Sequence, residues 1–334
     1  MDLSKTITTR SGRAIFVALG LLFLGGCVTV NLFPEDRGLV EKDLRPAGGA
    51  VEKVVFLPVR GFIGDQANKK GTPFLGGRVN QVRQLERELD KASRDPHVRG
   101  VVLEIDSPGG TVTASDRLYH RIMLFRERTR IPVVAFFGDL GASGAYYAAM
   151  AADEVWAHPT SVVGSIGVLI ANIGVEGLMK KVGITDRTVA SGPEKEMGSP
   201  LRKMTPEDRA IFEGLVKDFY GNFLRVVERG RKMTPERLGP LADGRVYPAS
   251  LARSLGLVDR VGYRSDLVRH LERITKTQKL RLVTYEESGG GSPPLFGMEA
   301  GGISSVSAAA LVGLIRSLGP EPLYFWAPGG LTIK

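Results

Sequence analysis

The stretch Val133-Val-Ala-Phe-Phe-Gly-Asp-Leu-Gly-Ala-Ser-Gly-Ala-Tyr-Tyr147 carries the reading of the fold. Residues 133–137 are a short, continuous apolar run of strand type. A turn of glycine and alanine around Ser143 follows, and residues 144–152 read as a helix of small residues. A serine on such a strand-to-helix turn can be a nucleophile. Upstream, the β-rich run 99–105 ends in a second glycine turn, Asp106-Ser-Pro-Gly-Gly110, after which residues 114–126 read as helix.

The same alternation extends in both directions. Residues 53–59 form a strand candidate, and Val79, Val82, Leu85, Leu89 and Ala92 then recur at helical spacing. Short extended pieces are expected at 154–157, 162–163 and 167–171, and another strand at 281–285. Strands alternating with helices predict a parallel or mostly parallel sheet, in which active groups gather at the carboxyl ends of strands. Thr205-Pro-Glu-Asp and Thr234-Pro-Glu-Arg each set a capping threonine before a proline suited to the first helical position. The first opens a long helix whose apolar set, Ile211, Phe212, Leu215, Val216, Phe219, Tyr220 and Phe223, is wider than a narrow stripe. That face reads as core, with an oligomer contact as the alternative.

The chain has 334 residues and 43% hydrophobic content, enough for a substantial core. Its 42 glycines exceed the usual share of about 7% and point to many tight turns. A formal charge of +9 raises the question of a polyanionic partner. The basic residues are scattered over helical patches such as 225–232 and 264–281, and no helix-turn-helix, zinc-finger or aromatic-interleaved basic motif is present, so no nucleic-acid partner is predicted.

Lys5, Arg10 and Arg13 precede an uncharged stretch, 14–26, in the pattern of an export signal. The end of that stretch, Leu24-Gly-Gly-Cys27, resembles a bacterial lipobox, which makes Cys27 a candidate lipidation site. The alternative is an uncleaved anchor, because residues 14–33 contain one strongly polar residue, Asn31, and are long enough to cross a bilayer as a helix. Either reading predicts a membrane-tethered protein with its body outside the cytoplasm. Cys27 is the single cysteine, which excludes an internal disulfide framework. The organisation expected is therefore an export signal or anchor over 1–33, a linker over 34–50, a catalytic domain over 51–285, and a flexible connector and tail over 286–334. Within that tail, residues 302–318 read as a weak helix, followed by the aromatic cluster Leu323-Tyr-Phe-Trp326.

A Ser-His-Asp site needs a suitable histidine, and His97, His120, His158 and His270 all sit in poor contexts: a charged loop, two arginine-rich helices and a strand end. The turn Gly141-Ala-Ser143-Gly-Ala145 departs from the Gly-x-Ser-x-Gly elbow of α/β-hydrolases. No His-Glu-x-x-His array and no phosphate loop occurs, so neither a metal nor a cofactor is predicted. A serine can instead be activated by a neutral lysine, provided burial brings the lysine pKa from about 10.4 toward 7, a shift of roughly 4 kcal/mol. Lys195 is the candidate. Glycine amides at 109 and 110 are free to face a developing oxyanion.

The ordered set Asp106-Ser-Pro-Gly-Gly110, Gly141-Ala-Ser-Gly-Ala-Tyr-Tyr147, Gly164-Ser-Ile-Gly-Val168 and Ser191-Gly-Pro-Glu-Lys-Glu-Met-Gly-Ser-Pro200 resembles the signal peptide peptidase A family of bacterial serine/lysine peptidases. The resemblance covers roughly residues 53–284. It implies an α/β fold of the Clp protease/crotonase-like kind, a spiral of ββα units. It implies Ser143 as nucleophile, Lys195 as general base, Ser165 orienting the lysine, and the amides of Gly110 and Gly144 as oxyanion donors. Ala145 stands where the family often has a second glycine, and its added methyl could narrow the pocket. Each motif occurs once, as in the short members of the family, which form rings with serine and lysine drawn from neighbouring subunits. The substrates implied are apolar peptides, above all signal peptides left in the membrane. A crotonase-type acyl-CoA enzyme and a non-catalytic membrane scaffold of the same fold are the competing readings.

Overall fold

Alternation of side chains along buried strands builds the molecule around one twisted sheet. The computed structural model describes residues 38–46, 48–64, 80–287 and 322–325. In chain order the strands are β1 (Leu39–Asp43), β2 (Lys53–Arg60), β3 (Val98–Ser107), β4 (Gly109–Thr111), β5 (Val133–Ala142), β6 (Glu154–Ala157), β7 (Val162–Gly164), β8 (Leu169–Ile170), β9 (Val246–Pro248), β10 (Arg260–Val261), β11 (Arg281–Glu287) and β12 (Pro322–Phe325). The helices used below are α1 (Gln81–Ser93), α2 (Val112–Thr129), α3 (Gly144–Ala149), α4 (Glu176–Lys181), α5 (Pro206–Arg231), α6 (Ala249–Leu255) and α7 (Arg264–Ile274).

The main sheet runs β1-β11-β2-β3-β5-β6-β10, with β7 beside the far end of β5 and β9 beside β7. Neighbours from β11 to β10 are parallel, and β1 is antiparallel to β11. Both faces are covered, as a parallel sheet requires. Val55, Leu57, Leu103, Ile105, Ala135 and Phe137 face one core with α1, α2 and α3. Val54, Phe56, Val102, Val134 and Phe136 face the other, where Leu267, Val268 and Leu271 of α7 close it.

Capping residues set the helix starts. Thr111 accepts from the amide of Ala114 at the start of α2. Thr205 and Asp208 form a reciprocal capping box at the start of α5, with Pro206 at the first helical position. At Thr234 the same sequence signal yields one turn, Pro235–Leu238.

Three readings of the sequence differ from the structure. Residues 39–43, expected within a linker, form β1, paired along its backbone with β11; the side chains that accompany the ladder are charged and not apolar, so no periodicity marks it: Arg281 bonds Glu41 at 2.6 Å, Lys42 bonds Glu286 at 2.7 Å, and Lys53 of β2 bonds Glu41 at 2.6 Å. The segment after Ser107, expected as a turn, carries on into strand β4. Residues 322–325, expected as part of a C-terminal tail whose aromatic cluster is tied down, form β12 in a second, three-stranded sheet of order β4-β12-β8. The export signal or anchor, Cys27 and the helix expected at 302–318 lie outside the described residues. No helix among the described residues is long and apolar enough to cross a membrane.

Candidate active site

Ser143 sits where β5 breaks into α3, at φ 55° and ψ −119°, a conformation that L-residues seldom adopt. Two hydrogen bonds hold it there: its amide donates to the carbonyl of Gly164 at 2.7 Å, and its carbonyl accepts from Tyr147 at 2.9 Å. The residue is 1% exposed. Its hydroxyl does not cap α3, unlike Thr111 and Thr205 at their helices. Backbone strain of this kind, held by surrounding structure, is characteristic of functional turns.

Parallel pairing brings Ser165 alongside. The register of β5 and β7 ends at Ala142↔Gly164, so Ser143 and Ser165 are the next residues on adjacent strands. Ser165 also has positive φ, 51°, and its amide donates to the carbonyl of Arg245 at 2.8 Å. It too is buried.

Gly110 and Gly144 are glycines for reasons of space. A Cβ on Gly110 would lie 1.8 Å from the carbonyl oxygen of Ile63. A Cβ on Gly144 would lie 2.2 Å from Ser115 Oγ and 3.1 Å from the amide nitrogen of Gly110. The two backbones therefore touch, immediately after the serine. Gly144 occupies the first turn of α3, where an amide has no intrahelical acceptor. The sharp turn is buttressed from beneath: Ser107 Oγ donates to the carbonyl of Gly61 at 2.6 Å and accepts from Gly109, and Ser115 Oγ donates to the carbonyl of Thr111. Ser107 and Ser115 are fully buried; Ser107 is visible in the sequence only as part of the Asp106–Gly110 motif, and Ser115, a serine within a helix, carries no signal of its own. Ala145 is fully buried in the core.

Lys195 makes no hydrogen bond to Ser143 or Ser165 among the described residues. It lies exposed on the 3-10 turn Pro193–Glu196 and makes no side-chain hydrogen bond or ion pair among the described residues. That turn is tied to the head of α5 through Arg202, which bonds Asp208 at 2.5 and 3.0 Å and approaches Glu196 at 3.8 Å. The Arg202 guanidinium, with the amide of Thr205, holds the Asp208 carboxyl well below the usual carboxylate range. Among the described residues no histidine side chain is shown bonded to Ser143: His158 bonds Thr160, and His270 is held between Glu154 and Arg273. A cavity of about 580 Å³ lined by Trp156, Arg260 and His270 lies beside α7 and includes neither Ser143, Ser165, Gly110, Gly144 nor Lys195.

Residues 126–278 match the model of peptidase family S49. A putative signal peptide peptidase SppA of Enterococcus faecium is 32% identical over 348 residues, 96% of this chain and 99% of that protein. The chain belongs to peptidase family S49, the SppA family. Among other relatives, a putative protease of Synechocystis, slr0021, is 36% identical over 73% of this chain and 87% of its own length. A chloroplastic serine protease SPPA of Arabidopsis thaliana is 31% identical over 64% of this chain and 31% of that protein. This S49 chain is a protease of mixed α/β fold with a sheet rich in parallel strands. Family membership weighs against the acyl-CoA reading.

Proposed function

We propose that this S49 chain is a membrane-tethered serine endopeptidase that cleaves apolar peptides, chiefly remnant signal peptides, through an acyl-enzyme on Ser143. The observation that carries this is the strained Ser143 turn with the backbones of Gly144 and Gly110 packed against each other beside it. Ser143 Oγ attacks the scissile carbonyl carbon and passes its proton to the neutral amine of Lys195. The amides of Gly110 and Gly144 stabilise the oxyanion, and the protonated lysine returns the proton to the leaving amine. Water, deprotonated by the same lysine, then releases the acyl group. Ser165, next to Ser143 across β5 and β7, orients the lysine.

An exposed Lys195 fits a base supplied to the site of a neighbouring copy. The same region exposes Ile173, Leu178, Val182, Ile184 and Val189, with Ile211 and Leu215 on the adjoining start of α5. Exposed apolar residues flanking Lys195 in the chain support a ring-shaped homo-oligomer in which each covered lysine loses water, the condition for its neutral form. The succession of long strand, short strand and helix in β3, β4 and α2 supports the Clp protease/crotonase-like spiral. The N-terminal sequence pattern supports the tether, through lipidated Cys27 or an uncleaved helix.

Hydrolysis of a fluorogenic apolar peptide tests the mechanism. Ser143→Ala and Lys195→Ala should each lower kcat by about 10³-fold or more while leaving the circular dichroism unchanged. Equal rates in wild type and both variants would sink it.

A further inference from the structure

The edge of the main sheet, where β10 pairs with β6 in the register Arg260↔Trp156, carries a second polar assembly. Trp156 packs in the core closed by α7, whereas α3, the helix that Ser143 precedes, packs in the core on the other face. Glu154 of β6 is the organising group. One of its carboxylate oxygens accepts from Trp156 Nε1 at 3.0 Å and faces Arg260 at 3.4 Å, and the other accepts from Nε2 of the buried His270 at 2.8 Å. His270 Nδ1 in turn accepts from the Arg273 guanidinium at 2.7 Å. The Arg260 guanidinium lies over the Trp156 ring, 5.5 Å from its centroid. One carboxylate thus orients two arginines, directly and through a histidine, on the wall of the cavity of about 580 Å³ beside α7, which Glu154 itself does not line.

The charge of that lining is one-sided. Arg253, Arg260, Arg269 and Arg273 stand against Asp266 alone. Asp266 pairs with Arg269, while Arg253 and Arg273 have no ion-pair partner among the described residues. A concavity lined by one sign of charge concentrates counter-ions, and the planar fork of each guanidinium matches two oxygens of a phosphate. We propose that this cavity is a binding site for a phosphate-bearing anion. The site is separate from Ser143 and does not rest on the peptidase reading. Phosphate is the chemistry shared by a lipid headgroup and a soluble phosphate. Leu251, Tyr263 and Ile274, close to the lining residues in the chain, are exposed and are the side chains that the apolar part of a lipid would meet.

The test uses the full-length chain in nonionic detergent, carrying Trp326→Phe so that Trp156 is the one remaining tryptophan. Inorganic phosphate, or a short-chain phosphatidylglycerol below its micelle concentration, is titrated at constant ionic strength, and one or both should change Trp156 emission saturably. Arg253→Gln combined with Arg273→Gln should raise the Kd at least tenfold, because charge-assisted bonds are lost. Arg253→Gln alone, which breaks no hydrogen bond or ion pair within the described residues, should raise it several-fold at an unchanged unfolding temperature. Arg209→Gln combined with Lys217→Gln removes the same charge from α5 and should leave binding as it was. A lower Kd for phosphatidylglycerol than for phosphate assigns the site to a lipid headgroup, and an equal or higher one assigns it to a soluble phosphate. The proposal is overturned if neither ligand gives a saturable change, if the Arg253 and Arg273 variants bind as wild type does, or if the α5 pair loses binding equally. None of these readings needs turnover, so they stand apart from the outcome of peptide hydrolysis.

Discussion

Ser143 and Ser165 are two of five described non-glycine residues with positive φ, and β5 and β7 set them side by side. Their strain is held by backbone bonds to Gly164 and Arg245, so the geometry persists without a ligand. Gly110 is the more exacting position, because the atom it would displace belongs to the backbone of Ile63 and cannot swing aside. Gly110→Ala should therefore push β4 from Ile63, lowering stability by about 1–3 kcal/mol. It should also lower kcat by about 10²-fold, the usual effect of losing one oxyanion donor. Urea denaturation and peptide hydrolysis measure the two effects separately; a variant with wild-type kcat would remove Gly110 from the oxyanion site. The glycine motif was legible in the sequence, whereas the reason for it, the approach of Ile63, was not, since the partner lies 47 positions away.

Helices show where periodicity suffices and where it fails. In α1, Val82, Leu85, Leu89 and Ala92 are buried as their spacing predicts, but Glu88 is buried with them at 1% exposure. Gln84 bonds one of its carboxyl oxygens at 2.8 Å, and the other has no partner. Burial pushes the Glu88 carboxyl up to about 7 from an ordinary 4.5. Below pH 4.5 the folded and unfolded chains both hold the proton. Between 4.5 and 7 the unfolded chain releases it and the folded chain keeps it, so stability falls as pH rises, by roughly 3 kcal/mol in all. Glu88→Gln keeps the bond to Gln84 and removes the charge. Its unfolding free energy should exceed that of wild type at pH 8 by up to about 3 kcal/mol and match it at pH 4, as measured by urea titration at both values. The face of α5 divides in another way. Phe212, Phe223, Val226 and Val227 enter the core, while Ile211 and Leu215 remain outside at 40% exposure each. A width that read as core is thus shared between core and an open surface.

At the scale of the molecule, no hydrogen bond joins Ser143 to Lys195 among the described residues, and the segment around Lys195 exposes Val182, Ile184 and Val189. If sites are shared between copies, chains carrying Ser143→Ala and chains carrying Lys195→Ala are each inactive alone. Mixed before assembly, they should recover about a quarter of wild-type activity, since one interface in four then unites an intact serine with an intact lysine by random pairing. Peptide hydrolysis by mixed rings of verified size checks this; no recovery would place both residues in one chain.

The sequence by itself determined the strand and helix alternation, the capped start of α5, the serine turn and the family, because these depend on local periodicity and on motifs read along the chain. Tertiary structure alone decided that Ser143 neighbours Ser165, that residues 39–43 pair with β11 as an edge strand, and that residues 322–325 pair with the strand of Gly110. Each of these is a pairing between segments far apart in the chain. Strand pairing uses the backbone, which is the same at every residue, so its register leaves little mark on the side chains.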